Sequence, residues 1–103
     1  MRVLDFLITG QRIACDPRCD FTGIATGTRG YLQARFRFSS DWTKCKRVAV
    51  FRCRGKEHPV AVINGVCTIP EEALLGSRVE VHVVGQRDDY RIVTNTTWFE
   101  QEV

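Results

Sequence analysis

At 103 residues, with 44% hydrophobic and 26% charged side chains, the chain has the composition of one folded domain, residues 1–103, built round a single core. That composition excludes a disordered protein, and no apolar run approaches the ~20 residues of a membrane-spanning helix. The net charge of +3 comes from fifteen basic residues scattered among twelve acids without a dense run, which argues against nucleic acid as a partner.

The N-terminal segment MRVLDFLITG has one Arg, an apolar run broken by Asp5 and no small-residue cleavage site, so it does not read as a signal peptide. VLDFLI and QRIAC flank Thr9-Gly10 and predict two short strands around a tight turn in which Gly10 takes positive φ. Asp16 and Pro17 then break the second strand. Residues 21–30, FTGIATGTRG, hold three glycines and three threonines and predict a loop or a loose edge strand.

YLQARFRFSSDW, Tyr31 to Trp42, is the clearest element. Leu32, Ala34, Phe36 and Phe38 alternate with Gln33, Arg35, Arg37 and Ser39, the period of a strand with one dry and one wet face. The Ser-Ser-Asp run ends it, because these side chains bond nearby backbone and favour a turn. Trp42 is placed to cap one end of the core with its N–H on a partner.

KRVAVFRC repeats the pattern with Ala49 and Phe51 inward, RGKEH is a polar turn, and HPVAVI is a strand with Pro59 at its start. Asn64-Gly65 is the strongest short hairpin signal, a two-residue type I′ turn. PEEALLG predicts one helical turn opened by Pro70 and ended by Gly76. SRVEVHVVGQR points Val79, Val81 and Val83 inward, DDY turns the chain, and RIVTNTTWFEQEV predicts one last long strand. The sum is an all-β domain, an immunoglobulin-like β-sandwich of seven to eight short strands with one short helical turn. Phe36, Phe38, Trp42, Phe51 and Pro70 are its expected core and corner residues.

Chemistry is sparse. His58 sits beside a turn, His82 on the wet side of a strand, and Asp88-Asp89 in a turn, so no nucleophile, base or carboxylate pair is assembled and no catalytic residue is assigned. No phosphate loop precedes a helix, and no cofactor is implied. Five cysteines, Cys15, Cys19, Cys45, Cys53 and Cys67, are an odd number for a disulfide framework. CDPRC lacks the second ligand pair that a zinc site requires. Cys45, Cys53 and Cys67 read as small core hydrophobes, and Cys15 and Cys19 as thiols flanking a loop. The Asp16 to Gly30 loop, with Asp16, Arg18, Asp20, Thr28 and Arg29, is the candidate partner-binding segment, since its glycines let it reshape and exposed strand edges can pair with a neighbour.

Three stretches carry a resemblance: YLQARFRFSSDWTKCKRVAVF, NGVCTIPEEAL and VEVHVVGQRDDYRIVTN. An aromatic-led alternating strand, a Ser/Asp-Trp corner, a strand through Ala49 and Phe51, an Ile-Pro-x-Glu-x-Leu turn and a late Gly-x-Arg-x-x-Tyr-Arg-Ile-x-Thr-Asn run are shared features. On these the chain resembles small immunoglobulin-like proteins encoded among the tail and baseplate genes of phages and prophages of Gram-positive bacteria. The resemblance implies a non-enzymatic structural protein made in the bacterial host cytoplasm and located in the virion, where it binds other phage virion proteins in the tail, the baseplate or as decoration. It admits homo-oligomers, dimer or trimer, and no membrane association. The alternative is a small phage-encoded inhibitor of a host defence protein.

A chain assembled in a bacterial cytoplasm keeps its cysteines reduced. Thiol titration of the denatured protein should therefore find all five free; a count of three or one would show pairing.

Overall fold

A computed structural model describes residues 1–102. Its strands are β1 (Arg2–Thr9), β2 (Arg12–Cys15), β3 (Leu32–Phe38), β4 (Lys46–Cys53), β5 (Lys56–Val62), β6 (Val66–Thr68), β7 (Arg78–Arg87), β8 (Tyr90–Val93) and β9 (Thr97–Glu100). Two 3-10 turns, Ser40–Trp42 and Glu71–Leu74, interrupt them. The strands form two packed sheets, β2-β1-β3-β6 and β5-β4-β7-β8, with β9 also on β7. The all-β, two-layer expectation holds, with nine strands in place of seven or eight and two helical turns in place of one.

The alternating segments land as their period requires. Leu4, Phe6 and Ile8 of β1, Leu32, Ala34 and Phe36 of β3, Ala49 and Phe51 of β4, and Val79, Val81 and Val83 of β7 fill the space between the sheets. Phe6 stacks on Phe36 at 5.3 Å between ring centroids and meets Phe21 edge-on at 5.5 Å. Phe38 departs from expectation. It ends β3 at the rim of the sandwich and is half-buried, sheltered by Trp42 and by the Arg47 guanidinium 4.1 Å above its ring.

The first sheet is mixed, because β3 runs parallel to β1. β2 returns the chain to the end where β1 begins, and the long loop then passes beneath Arg2 to reach the free edge of β1. A strand starting there runs in the direction of β1. An immunoglobulin-like sandwich is built from antiparallel sheets, so this pair departs from that finer expectation.

Turn chemistry explains the connections. Asn64 and Gly65 take φ of 53° and 77°, the left-handed pair of a type I′ turn. The expected hairpin closes with a single bridge, Ile63 to Val66, and its two arms then enter different sheets. Arg54 and Gly55, at 54° and 77°, make a second turn of this kind in RGKEH and join β4 to β5. Pro70 precedes the second 3-10 turn instead of opening it and is half-buried.

The predicted long final strand is two. Between the pairs Val84–Val93 and Val81–Thr97, β7 advances three residues while its partner advances four, which is a β-bulge. The Thr94 Oγ1 accepts the Val83 N–H at 2.9 Å and the Thr94 N–H donates to the Val83 carbonyl at 3.0 Å. The residue swung aside is Asn95, whose N–H donates to the Gln11 carbonyl and whose Oδ1 accepts the Ile13 N–H, both at 2.9 Å. The bulge thus ties the edge of one sheet to the edge of the other.

Trp42 closes one end of the sandwich. It is fully buried, and its Nε1–H donates to the Gly10 carbonyl at 2.9 Å. Its ring lies on the backbone of Gly85, where an added Cβ would stand 2.6 Å from Cζ3 and 2.7 Å from Cε3. Gly85→Ala should therefore lower unfolding free energy by about 1–3 kcal/mol through overpacking. Denaturant unfolding checks this; the loss should shrink when Trp42 is also reduced to Leu, and an unchanged midpoint for the single variant would refute the contact.

Candidate functional site

Among the described residues, no group of three or more His, Cys, Asp or Glu is placed to hold a metal ion. His58 faces inward on β5, half-buried opposite Phe51, and His82 lies on the outer face of β7 opposite Val50. Asp88 and Asp89 form the exposed β7–β8 turn, with Asp88 at φ 47°. All five cysteines are free. Cys53 and Cys67 are buried, and desolvation pushes the Cys67 thiol up to about 12. Cys45 is only half-buried, because it sits at the mouth of the core beside Gly85, in contrast to its expected place inside. It borders the second sheet, while Cys67 pairs with Ala34 in the first.

The loop expected to bind a partner is held to the body along its length. Asp16 is buried instead of presented. Its Oδ1 accepts the Arg18 N–H at 3.0 Å, and both carboxylate oxygens meet the Arg18 guanidinium, at 3.2 and 3.1 Å. The Asp20 Oδ1 accepts the Thr22 N–H at 2.8 Å and the Thr22 hydroxyl at 2.6 Å. Arg2 reaches down from β1 and donates to the carbonyls of Asp20, Thr22 and Gly23 at 3.0, 2.5 and 3.3 Å. Ile24 is buried, Ala25 bridges to Glu102, and the Thr28 hydroxyl donates to the Ala25 carbonyl at 3.0 Å. Arg29 is exposed, 4.0 Å from Glu71. The five residues are not brought together: Arg18 and Asp20 stand on the Asp16 side of the Ile24 anchor, Thr28 and Arg29 beyond it. Gly23, Gly27 and Gly30 do take positive φ with open space around them, but the anchors between them fix the path.

Parts of the strand edges are occupied or blocked too. Asn95 covers β2, and Ile24 to Thr26 pairs with Glu102 through bonds of 2.6 and 3.0 Å. The outer edge of β5 is open but carries Pro59. The turn-closing pair Cys53–Lys56 exchanges hydrogen bonds, so alternate pairs do not, and Pro59 opposite Val50 sets its hydrogen-less nitrogen on the free edge. Such an edge resists strand addition.

What remains open is a face. On the outside of the second sheet, Ala61, Val48, Val84 and Val93 lie directly opposite one another across four strands, and Pro59, Val50 and His82 form the next row. The four valines are half-buried, with Pro59 and Ala61 exposed. Lys46, Gln86 and Arg91 border this area on one side; Glu57, Arg52, Glu80 and Trp98 border it on the other. Trp98 is 44% exposed with the Arg78 guanidinium 4.2 Å above its ring. A shallow depression at the Lys46 end is lined by Lys44, Lys46, Val48, Val84, Gln86, Arg87 and Asp88. The outside of the first sheet contrasts: Gln33, Arg35 and Arg37 line β3, and Arg35 grips Asp5 at 2.6 and 3.2 Å. The signal for the apolar face was the failure of alternation in RVAVF, PVAVI and VHVV, where both faces of each strand are apolar.

No protein-family model matches the chain, and no curated protein matches it in sequence.

The Arg18 hydrogen bonds hold the Asp16 carboxyl below the usual carboxylate range. A depressed folded pKa stabilises the fold above the unfolded value of ~3.9 and loses that contribution as pH falls through the folded value. The side chain of Arg18 is 70% exposed and that of Asp16 5%, so water screens the pair and the effect is modest. Asp16→Asn should lower the urea midpoint near neutrality and converge on the wild type as pH falls through the depressed folded pKa; a gap independent of pH would refute the ionic contribution.

Proposed function

We propose that the chain is a non-enzymatic protein-binding module, and that its place is the phage virion, where it contacts other virion proteins of the tail, the baseplate or the particle surface. The observation that carries the binding reading is the apolar outer face of the second sheet, spanning four strands with a tryptophan and charged side chains at its margin. Aromatic and Arg side chains around a desolvatable apolar centre are the composition of protein–protein contacts. The occupied and proline-blocked edges direct binding to this face rather than to strand addition.

The virion setting rests on the resemblance to tail and baseplate proteins, and the immunoglobulin-like kinship belongs to the same proposal. Two packed sheets, the Trp42 corner and the turn after Ile69 support that kinship; the parallel β1–β3 pair is a departure within it.

Mass spectrometry of purified particles from the encoding phage or prophage tests the reading. Many copies per particle are expected. Complete absence from particles, with the chain instead captured on a host defence enzyme, would overturn it in favour of the inhibitor.

A further inference from the structure

We propose that the outer face of the five-stranded sheet binds a second copy of this chain, face to face, about a two-fold axis lying in the interface and running across the strands. The inference rests on the reading of this face as a binding surface and names its occupant. The rows Ala61–Val48–Val84–Val93 and Pro59–Val50–His82, apolar except for His82, run along the middle of the face. An axis between them sets each apolar row on the other row of the partner. It also sets each margin on the opposite margin.

Charge selects this arrangement. One margin, Lys46, Gln86 and Arg91, carries two cations and no acid. The other, Glu57, Arg52, Glu80 and Trp98, carries two acids on either side of Arg52, with the Arg78 guanidinium over Trp98 at its end. Packed sheets align at about −30°, and at the margins that rotation displaces one sheet over the other by about one strand spacing, ~5 Å. Lys46 then stands over a flanking glutamate, not over Arg52. An axis along the strands would instead lay the Lys46–Gln86–Arg91 margin on itself, cationic margin on cationic margin, in a desolvated contact. A surface that sets a margin holding only cations on one holding two glutamates is complementary to itself, the condition for an isologous contact.

The size is sufficient. Four strands ~4.8 Å apart and the ten residues of β7 at ~3.4 Å each span on the order of 600 Å² in projection. The accessible area of such a corrugated face exceeds its projection and reaches the roughly 600–1,000 Å² per partner of standard interfaces. The first sheet offers no equivalent, since Arg35, Arg37 and Asp5 charge its centre.

Sedimentation equilibrium or light scattering of the purified chain at ~100 µM, above the micromolar dissociation constant expected of a small standard interface, reads the outcome. Twice the chain mass is expected for the wild type and for Arg37→Glu on the opposite face. Val84→Glu should return the mass to one chain with its β-sheet circular dichroism intact. Should Val84→Glu fail to fold, Lys46→Glu on the exposed margin carries the same test, and its dimer should weaken at least tenfold. A wild type of one chain mass, or an assembly that persists in the folded variants, overturns the dimer. Neither result touches the wider binding reading, which fails separately if folded Val84→Glu enters particles as fully as the wild type.

Discussion

The indole of Trp42 rests directly on the backbone of Gly85, and the closure of the sandwich at this end depends on that approach. The contact joins a corner leaving the first sheet to the longest strand of the second. Around it, the Trp42 Nε1–H holds the β1–β2 turn through the Gly10 carbonyl, and its own carbonyl accepts the Arg47 guanidinium at 2.7 Å. Arg47 in turn covers Phe38. One large side chain thereby fixes a hairpin, a strand end and the start of β4, and any side chain at position 85 would displace it. A buried ring this size contributes through area and through exclusion of water from the hydrogen bonds at its rim.

A second closure lies beside it, where β2 meets the strands of the second sheet. The bulge at Thr94 frees Asn95 to serve the backbone of β2, and the Thr94 hydroxyl supplies the acceptor that the displaced ladder no longer provides. These substitutions of side chain for backbone keep polar groups satisfied where two sheet edges meet. With that edge tied, the Ile24 to Thr26 segment paired with Glu102 and the β5 edge interrupted by Pro59, strand addition is disfavoured at these places. At those places contact with a neighbour would fall to side chains. The two outer faces are unequal for this purpose, one laced with charge and one apolar at its centre.

The candidate site was only partly legible. The loop from Asp16 to Gly30 advertised itself by glycine, aspartate and arginine, residue types that serve equally to bind a partner and to fold a loop onto its own domain. Arg2, fourteen residues upstream of Asp16, decides between these uses, and nothing local to the loop reveals it. The apolar face was written in the strands as broken alternation. The rows emerge only when the register sets Val48 beside Val84, 36 residues on, and Val84 beside Val93, nine residues further.

Local physics decided much from sequence alone. Period-two alternation named the inward residues of β3, β4 and β7, because each pleat sends neighbours to opposite faces whatever the strand pairs with. Asn64-Gly65 named its turn, since few residues tolerate two left-handed φ values, and the Ser-Ser-Asp run named the corner before Trp42. Tertiary structure alone decided pairing and direction: the parallel β1–β3 ladder, the splitting of β5 and β6 between sheets, the bulge at Thr94 and the burial of Asp16. Those features depend on which distant backbone groups need partners, and that is set by the assembled sheets, not by any window of the chain.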